Sequence, residues 1–139
     1  MPGPAAVPGH AVPAGVVQVD GTCVLPAEGP AVERGVLVAR LHEYDPRLVD
    51  SQAREVGRTT VPGLSHRPGE KTSVRFAVAG RTTDAMAHYL TVAVYPEGAP
   101  AGQAGLYFLD GFRQVLADGN REALRITLTP VPEEGGPSN

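Results

Sequence analysis

Hydrophobic and polar residues alternate with a period of two along most of this chain, most clearly over residues 35–44, GVLVARLHEY. There Leu37, Ala39 and Leu41 share one side, and Val36, Val38, Arg40, His42 and Tyr44 share the other. The run holds no proline and lies between Gly35 and the turn pair Asp45-Pro46. An alternating stretch between turn signals predicts a β-strand with one drier and one wetter face. Such a strand needs neighbours for its backbone and a second layer for its drier face.

The same pattern recurs on both sides of it. Residues 16–25 set Val17, Val19, Gly21, Cys23 and Leu25 on one side, with Gly21 marking a bulge or a close backbone approach. After Asp45-Pro46, Leu48 and Val49 read as an apolar plug folded back under a loop. Residues 54–61 read as a half-exposed edge strand guarded by Arg54, Arg58 and Pro62. A polar turn at 63–71 leads into a fourth strand, in which Val74, Phe76 and Val78 alternate with Ser73, Arg75 and Ala77. Residues 80–85 then read as a turn or a short helical piece. Residues 87–95 are apolar on both sides, which predicts a central strand covered on both faces. A sixth segment breaks at Asp110-Gly111, and a last strand over 123–131 turns Leu124, Ile126 and Leu128 inward.

About seven short strands separated by turn chemistry predict an all-β fold, an antiparallel β-sandwich. Residues 1–15 read as a flexible Pro/Gly-rich arm, 16–131 as the sandwich domain and 132–139 as a polar tail.

Composition sharpens this. With 17 Gly and 14 Pro, long helices are excluded. Aromatic residues make up 5% and Trp is absent, so the core is expected to come mainly from Val, Leu and Ala. The net charge is −3 and no basic block exists, which argues against nucleic acid as a partner. A phosphate site would need a local patch that the linear sequence does not display. Cys23 is the single cysteine, which excludes an intrachain disulfide and a Cys-rich zinc site; it reads as a small buried hydrophobe. No stretch is long and apolar enough to be a transmembrane segment. The N-terminal residues lack a basic region ahead of an apolar core and so do not read as a signal peptide. The chain is expected in the cytoplasm, or in the periplasm or cell envelope where a leader has been removed.

Five stretches together resemble a known family. They are Val36-Leu37-Val38-Ala39-Arg40-Leu41, the strand from Gly69 to Phe76, Tyr89-Leu90-Thr91-Val92-Ala93-Val94, the aromatic segment from Tyr107 to Leu116, and Ile126-Thr127-Leu128-Thr129-Pro130-Val131. Their order resembles the bacterial lipoproteins of the YbaY/YscW type, which include type III secretion pilotin chaperones. The resemblance covers roughly residues 16–131 and implies a β-sandwich with an accessory role in the cell envelope. Cys23 follows Asp20-Gly21-Thr22 with no apolar leader, so it lies outside any lipobox and the lipid anchor does not carry over.

The remaining chemistry is sparse. His42, His88 and Asp45 would form a divalent metal site if they met at one rim, and His66 reads as a turn residue at the surface. Ser65-His66 are adjacent, which is not a triad. Glu43 with Asp45 reads as a solvated strand end. Gly102-Gln103-Ala104-Gly105 lacks the Lys-Ser/Thr of a phosphate loop. The chain therefore reads as no enzyme and as needing no cofactor. Tyr89, Tyr95, Tyr107, Phe108 and Phe112 are the candidates for a protein- or peptide-binding surface, provided they share an exposed sheet face. Sheet edges offer a second mode, pairing between copies of the chain.

Overall fold

A computed structural model of the chain describes residues 15–48, 52–82, 86–99, 104–111, 113–117 and 119–131. Nine strands follow in order: β1 (Val16–Leu25), β2 (Val32–Tyr44), β3 (Arg54–His66), β4 (Thr72–Arg81), β5 (Ala87–Tyr95), β6 (Tyr107–Phe108), β7 (Arg113–Val115), β8 (Arg121–Thr127) and β9 (Thr129–Pro130). They form two layers. One is a three-stranded sheet in the order β4-β1-β8; the other is a six-stranded sheet in the order β3-β2-β5-β6-β9, with β7 also paired to β5. The predicted sandwich is present. The predicted arm and tail, Val49 and Phe112 lie outside the described residues.

Period-two patterning sets the layers. Val17, Val19, Cys23 and Leu25 of β1 and Val74, Phe76 and Val78 of β4 face Leu37, Ala39 and Leu41 of β2 and Leu90, Val92 and Val94 of β5. These side chains are buried, and each fully buried Val or Leu contributes about 1.5–3 kcal/mol. Gly21 is not a bulge, because β1 pairs with β4 in unbroken register. What comes close to it is a side chain rather than another backbone: the Phe76 ring, directly opposite, occupies the space a Cβ would fill. Cys23 is wholly buried, and that burial pushes its thiol up to about 12.

Several expectations need correction. β3 runs through Gly63 to His66, and β4 runs on to Arg81, so the predicted turn at 63–71 shrinks and Gly80-Arg81 are extended. Residues 83–85 of the second predicted turn lie outside the described residues. Leu48 is 61% exposed, so it is no plug. β5 is central, but only one of its faces meets the core. β8 pairs with β1 in parallel, whereas antiparallel pairing was expected throughout. The reason is a corner. The last stretch leaves β1 after Thr127, with Leu128 N–H donating to the Val24 carbonyl at 2.9 Å, and joins β6 of the other sheet through Thr129 and Pro130. One segment thus serves both layers, as strands at sandwich corners do.

The opposite corner is closed by glycine. Gly57 of β3 lies against the Ala79 carbonyl of β4, and a Cβ on Gly80 would fall 2.5 Å from the Val56 carbonyl oxygen. β3 is an edge of its sheet, as predicted, and at Gly57 the backbone of β4 lies close against it.

Candidate functional site

The inner and outer faces of β2 and β5 carry different chemistry. On the inner side, Glu43 falls in phase with Leu37, Ala39 and Leu41 and is only 2% exposed. Its carboxylate accepts hydrogen bonds from Arg54 Nη2 at 2.7 Å and from the Thr82 hydroxyl at 2.8 Å. His88 Nε2 lies 3.0 Å from Thr82 Oγ1 and 3.9 Å from Glu43 Oε1. The hydroxyl has one proton and gives it to Glu43, so the His88 Nε2–H donates to Thr82. The four groups bind the ends of β2, β3, β4 and β5 together. Both Glu43 and Thr82 meet His88 at the same nitrogen, Nε2.

Burial lowers the proton affinity of His88, and the Glu43 carboxylate only partly offsets that. The unfolded chain therefore takes up the proton first. Stability should be full above the ordinary imidazole value of about 6.5 and should fall as pH drops through it towards the lower folded value. Thermal unfolding across this range should show a shallower decline in His88→Gln. An unchanged profile would mean that the ring is not held neutral by the fold.

On the outer side, cross-strand partners form rows: Val36 with Tyr95; Val38 with Ala93 and then Phe108; Arg40 with Thr91; His42 with Tyr89 and then Gln114. The His42 ring stacks on Tyr89 with centroids 4.6 Å apart and planes 13° from parallel, and Tyr44 leans on the same ring at 6.0 Å. His42 Nε2 lies 3.1 Å from Thr91 Oγ1. Partial burial lowers the His42 pKa, against the opposing pull of Glu55. Arg40 and Arg58 stand opposite each other on β2 and β3, a like-charge pairing that would be unfavourable alone. Glu55 resolves it, accepting from Arg58 Nε at 3.0 Å and lying 3.5 Å from Arg40 Nε. The Arg58 hydrogen bonds hold the Glu55 carboxyl below its usual range.

This face thus has a polar, stacked end and an apolar end made by Val36, Val38, Ala93, Tyr95 and Phe108. The small Ala93 sits between Val38 and Phe108. All five are half-buried, and no described strand lies over them. An open sheet face of this kind can seat the apolar side chains of a polypeptide.

The predicted residues divide accordingly. Tyr89, Tyr95 and Phe108 do share the outer face. Tyr107 does not: it pairs with Val94 on the inner side, is wholly buried, and donates its hydroxyl proton to the Pro30 carbonyl at 2.6 Å. The proposed metal set of His42, His88 and Asp45 is not brought together. His42 and His88 sit on adjacent paired strands but point to opposite faces, because 42 and 88 differ in phase: Tyr89, not His88, opposes His42. Asp45 is engaged by Arg47, whose backbone N–H, Nε and Nη2 all donate to it. Among the described residues no group of three His, Cys, Asp or Glu side chains is placed to hold a metal ion. His66 is buried rather than in a surface turn, bonded through Nδ1 to Thr72 Oγ1 at 2.7 Å and perpendicular to the Tyr107 ring at 5.6 Å. Sequence reasoning did not single out Val36, Val38 and Ala93 for the site. Their position in the outward phase was legible, but the register that joins them to Phe108 was not.

Among the described residues no helix is long and apolar enough to cross a membrane. A scan against protein-family models and a search of the curated proteins each found no match. Among solved structures the chain is similar to an alternative pilotin from the type II secretion system of Vibrio cholerae. The TM-score is 0.53 at 12% sequence identity, over 84% of this chain and 99% of that one. At that identity the likeness is one of fold, and the chain accordingly has a pilotin-like, all-β sandwich fold.

Proposed function

We infer that this chain is a non-catalytic accessory protein of the cell envelope, chaperone-like in role, that holds a segment of a partner protein on the outer face of its six-stranded sheet. The observation that carries the reading is the half-buried apolar end of that face, over which no described strand lies and where Tyr95 and Phe108 flank the small Ala93. The fold shared with a secretion pilotin supports it, as does the YbaY/YscW-type order of segments. The buried Glu43, Thr82 and His88 link strand ends to one another.

Selection of random peptides on the immobilised protein tests it. Enriched peptides should carry apolar anchors and should shift the NMR signals of Val36, Val38, Ala93, Tyr95 and Phe108. In the doubly substituted Tyr95→Ala/Phe108→Ala protein, binding should weaken by about tenfold or more, with the thermal transition retained. Peptides that bind the double variant as well as the parent, or that shift only signals elsewhere, would overturn the assignment.

A further inference from the structure

The three-stranded sheet has an outer face of its own, and its charge is opposite to that of the chain. The outward positions of β4 and β8 carry Arg75, Arg81, Arg121 and Arg125, although the whole sequence has a net charge of −3. Asp20 of β1 is the only acidic side chain at the outward positions of the three strands, and it is already engaged. Arg121 donates to it through Nε and lies 3.0 Å away through Nη2, and Gln18 Nε2 donates at 2.8 Å. Arg75 and Arg125 form no ion pair or hydrogen bond among the described residues. Both are exposed.

Register places these two arginines with some care. Thr22 of β1 is the cross-strand partner of Arg75 on one side and of Arg125 on the other. β4 and β8 each lie one strand spacing from β1, so the two Cα atoms stand roughly 10 Å apart, with the Thr22 hydroxyl between them. In the next row, Asp20 is flanked by Ala77 and Ala123. These minimal side chains leave a trough of about 590 Å³, whose lining includes Asp20, Thr22, Arg75, Ala77 and Ala123 beside the inward-phase Gly21, Phe76 and Leu124. Arg75 lines the trough, and Arg125 follows directly on Leu124, which lines it too; with no partner among the described residues, the two guanidiniums match an incoming carboxylate, and such charge-assisted contacts are the strong ones.

We propose that this trough is a second binding site, one that seats an extended acidic peptide and clamps one of its carboxylates between Arg75 and Arg125 over Thr22. The recessed shape favours a protruding side chain over a flat anionic membrane. A membrane-binding face would also present large apolar anchors, and among the described residues the one exposed large hydrophobic residue, Leu48, belongs to the turn after β2. The site is separate from the apolar face of the other sheet, so the two readings can fail independently.

The test uses a fluorescein-labelled peptide of alternating alanine and glutamate, its glutamine counterpart, and phosphatidylglycerol vesicles. Anisotropy should show saturable binding of the glutamate peptide and not of the glutamine peptide. Arg75→Gln/Arg125→Gln should weaken it by about tenfold or more. Arg67→Gln/Arg113→Gln, which removes the same charge elsewhere, should change it by no more than about twofold. Tyr95→Ala/Phe108→Ala should leave it unaltered. Equal loss in the two arginine pairs would reduce the effect to net charge and overturn the site. Saturable binding to vesicles but not to peptide would overturn the choice of ligand, and no difference between the two peptides would overturn the carboxylate clamp.

Discussion

Replacing Gly57 with alanine should lower the unfolding free energy by about 3 kcal/mol. The sign is what makes this informative. Glycine inside a strand is ordinarily a weakness, and adding a methyl group there ordinarily helps by about 0.5–1 kcal/mol. At Gly57 the added Cβ would run into the Ala79 carbonyl of β4, which is backbone and has no rotamer to move into. Gly80 offers the mirror contact, 2.5 Å from the Val56 carbonyl oxygen. The two glycines therefore let β3 and β4 pass closer than any pair of side-chain-bearing residues would, and so close one corner of the sandwich. Urea unfolding should show the midpoint dropping with little change in slope. Gly80→Ala should behave alike, and the double variant should cost less than the sum, since either methyl group alone already forces the strands apart. A neutral or stabilised Gly57→Ala would mean that the two strands do not meet there.

The corner also shows where sequence stops being informative. Alternation at residues 16–25, 35–44 and 87–95 was enough to place Val17, Leu37 and Leu90 in the core, because a one-residue slip would bury the polar set instead. Alternation says nothing about which strand lies beside which. It reads identically for parallel and antiparallel neighbours, so the pairing of β8 with β1 was invisible, and with it the row Arg75–Thr22–Arg125. Residues fifty positions apart became one basic face only through that topology. Phase errors are more instructive. His42 and His88 were grouped by chemical type, yet their positions in the paired strands send one ring outward and the other inward. Glu43 looked like part of a solvated strand end because it is charged. Its phase, shared with Leu41, pointed inward, and that signal was the reliable one. Pro62 reads as the end of β3 and so puts His66 in a turn, whereas the strand passes through Pro62 and Gly63, the latter at φ 73°, and pairs again at Val32.

Tyr107 carries the sharpest consequence of such a phase assignment. Grouped with Tyr89, Tyr95 and Phe108 by composition, it should matter for binding. Placed opposite Val94 on the inner face, it should matter for folding instead. It is the largest fully buried side chain described, and its hydroxyl reaches the Pro30 carbonyl beside Gly29, whose φ of +109° shapes the turn before β2. Tyr107→Ala should cost about 3–5 kcal/mol, a large share of the 5–15 kcal/mol typical of a whole domain. A poorly soluble variant would be one form of that result. Tyr107→Phe keeps the ring and removes only the hydrogen bond, leaving a carbonyl unpaired, and should cost about 1–2 kcal/mol. Tyr89→Ala, which loses a stacked but half-exposed ring, should cost about 1 kcal/mol. Peptide binding should follow the outer face: Tyr107→Phe should bind selected peptides as the parent does, and Tyr95→Ala/Phe108→Ala should not. If Tyr107→Phe instead lost binding while keeping its thermal midpoint, the hydroxyl would have to be on the partner's side of the sheet. The inward phase of β6, and the core built on it, would then be wrong.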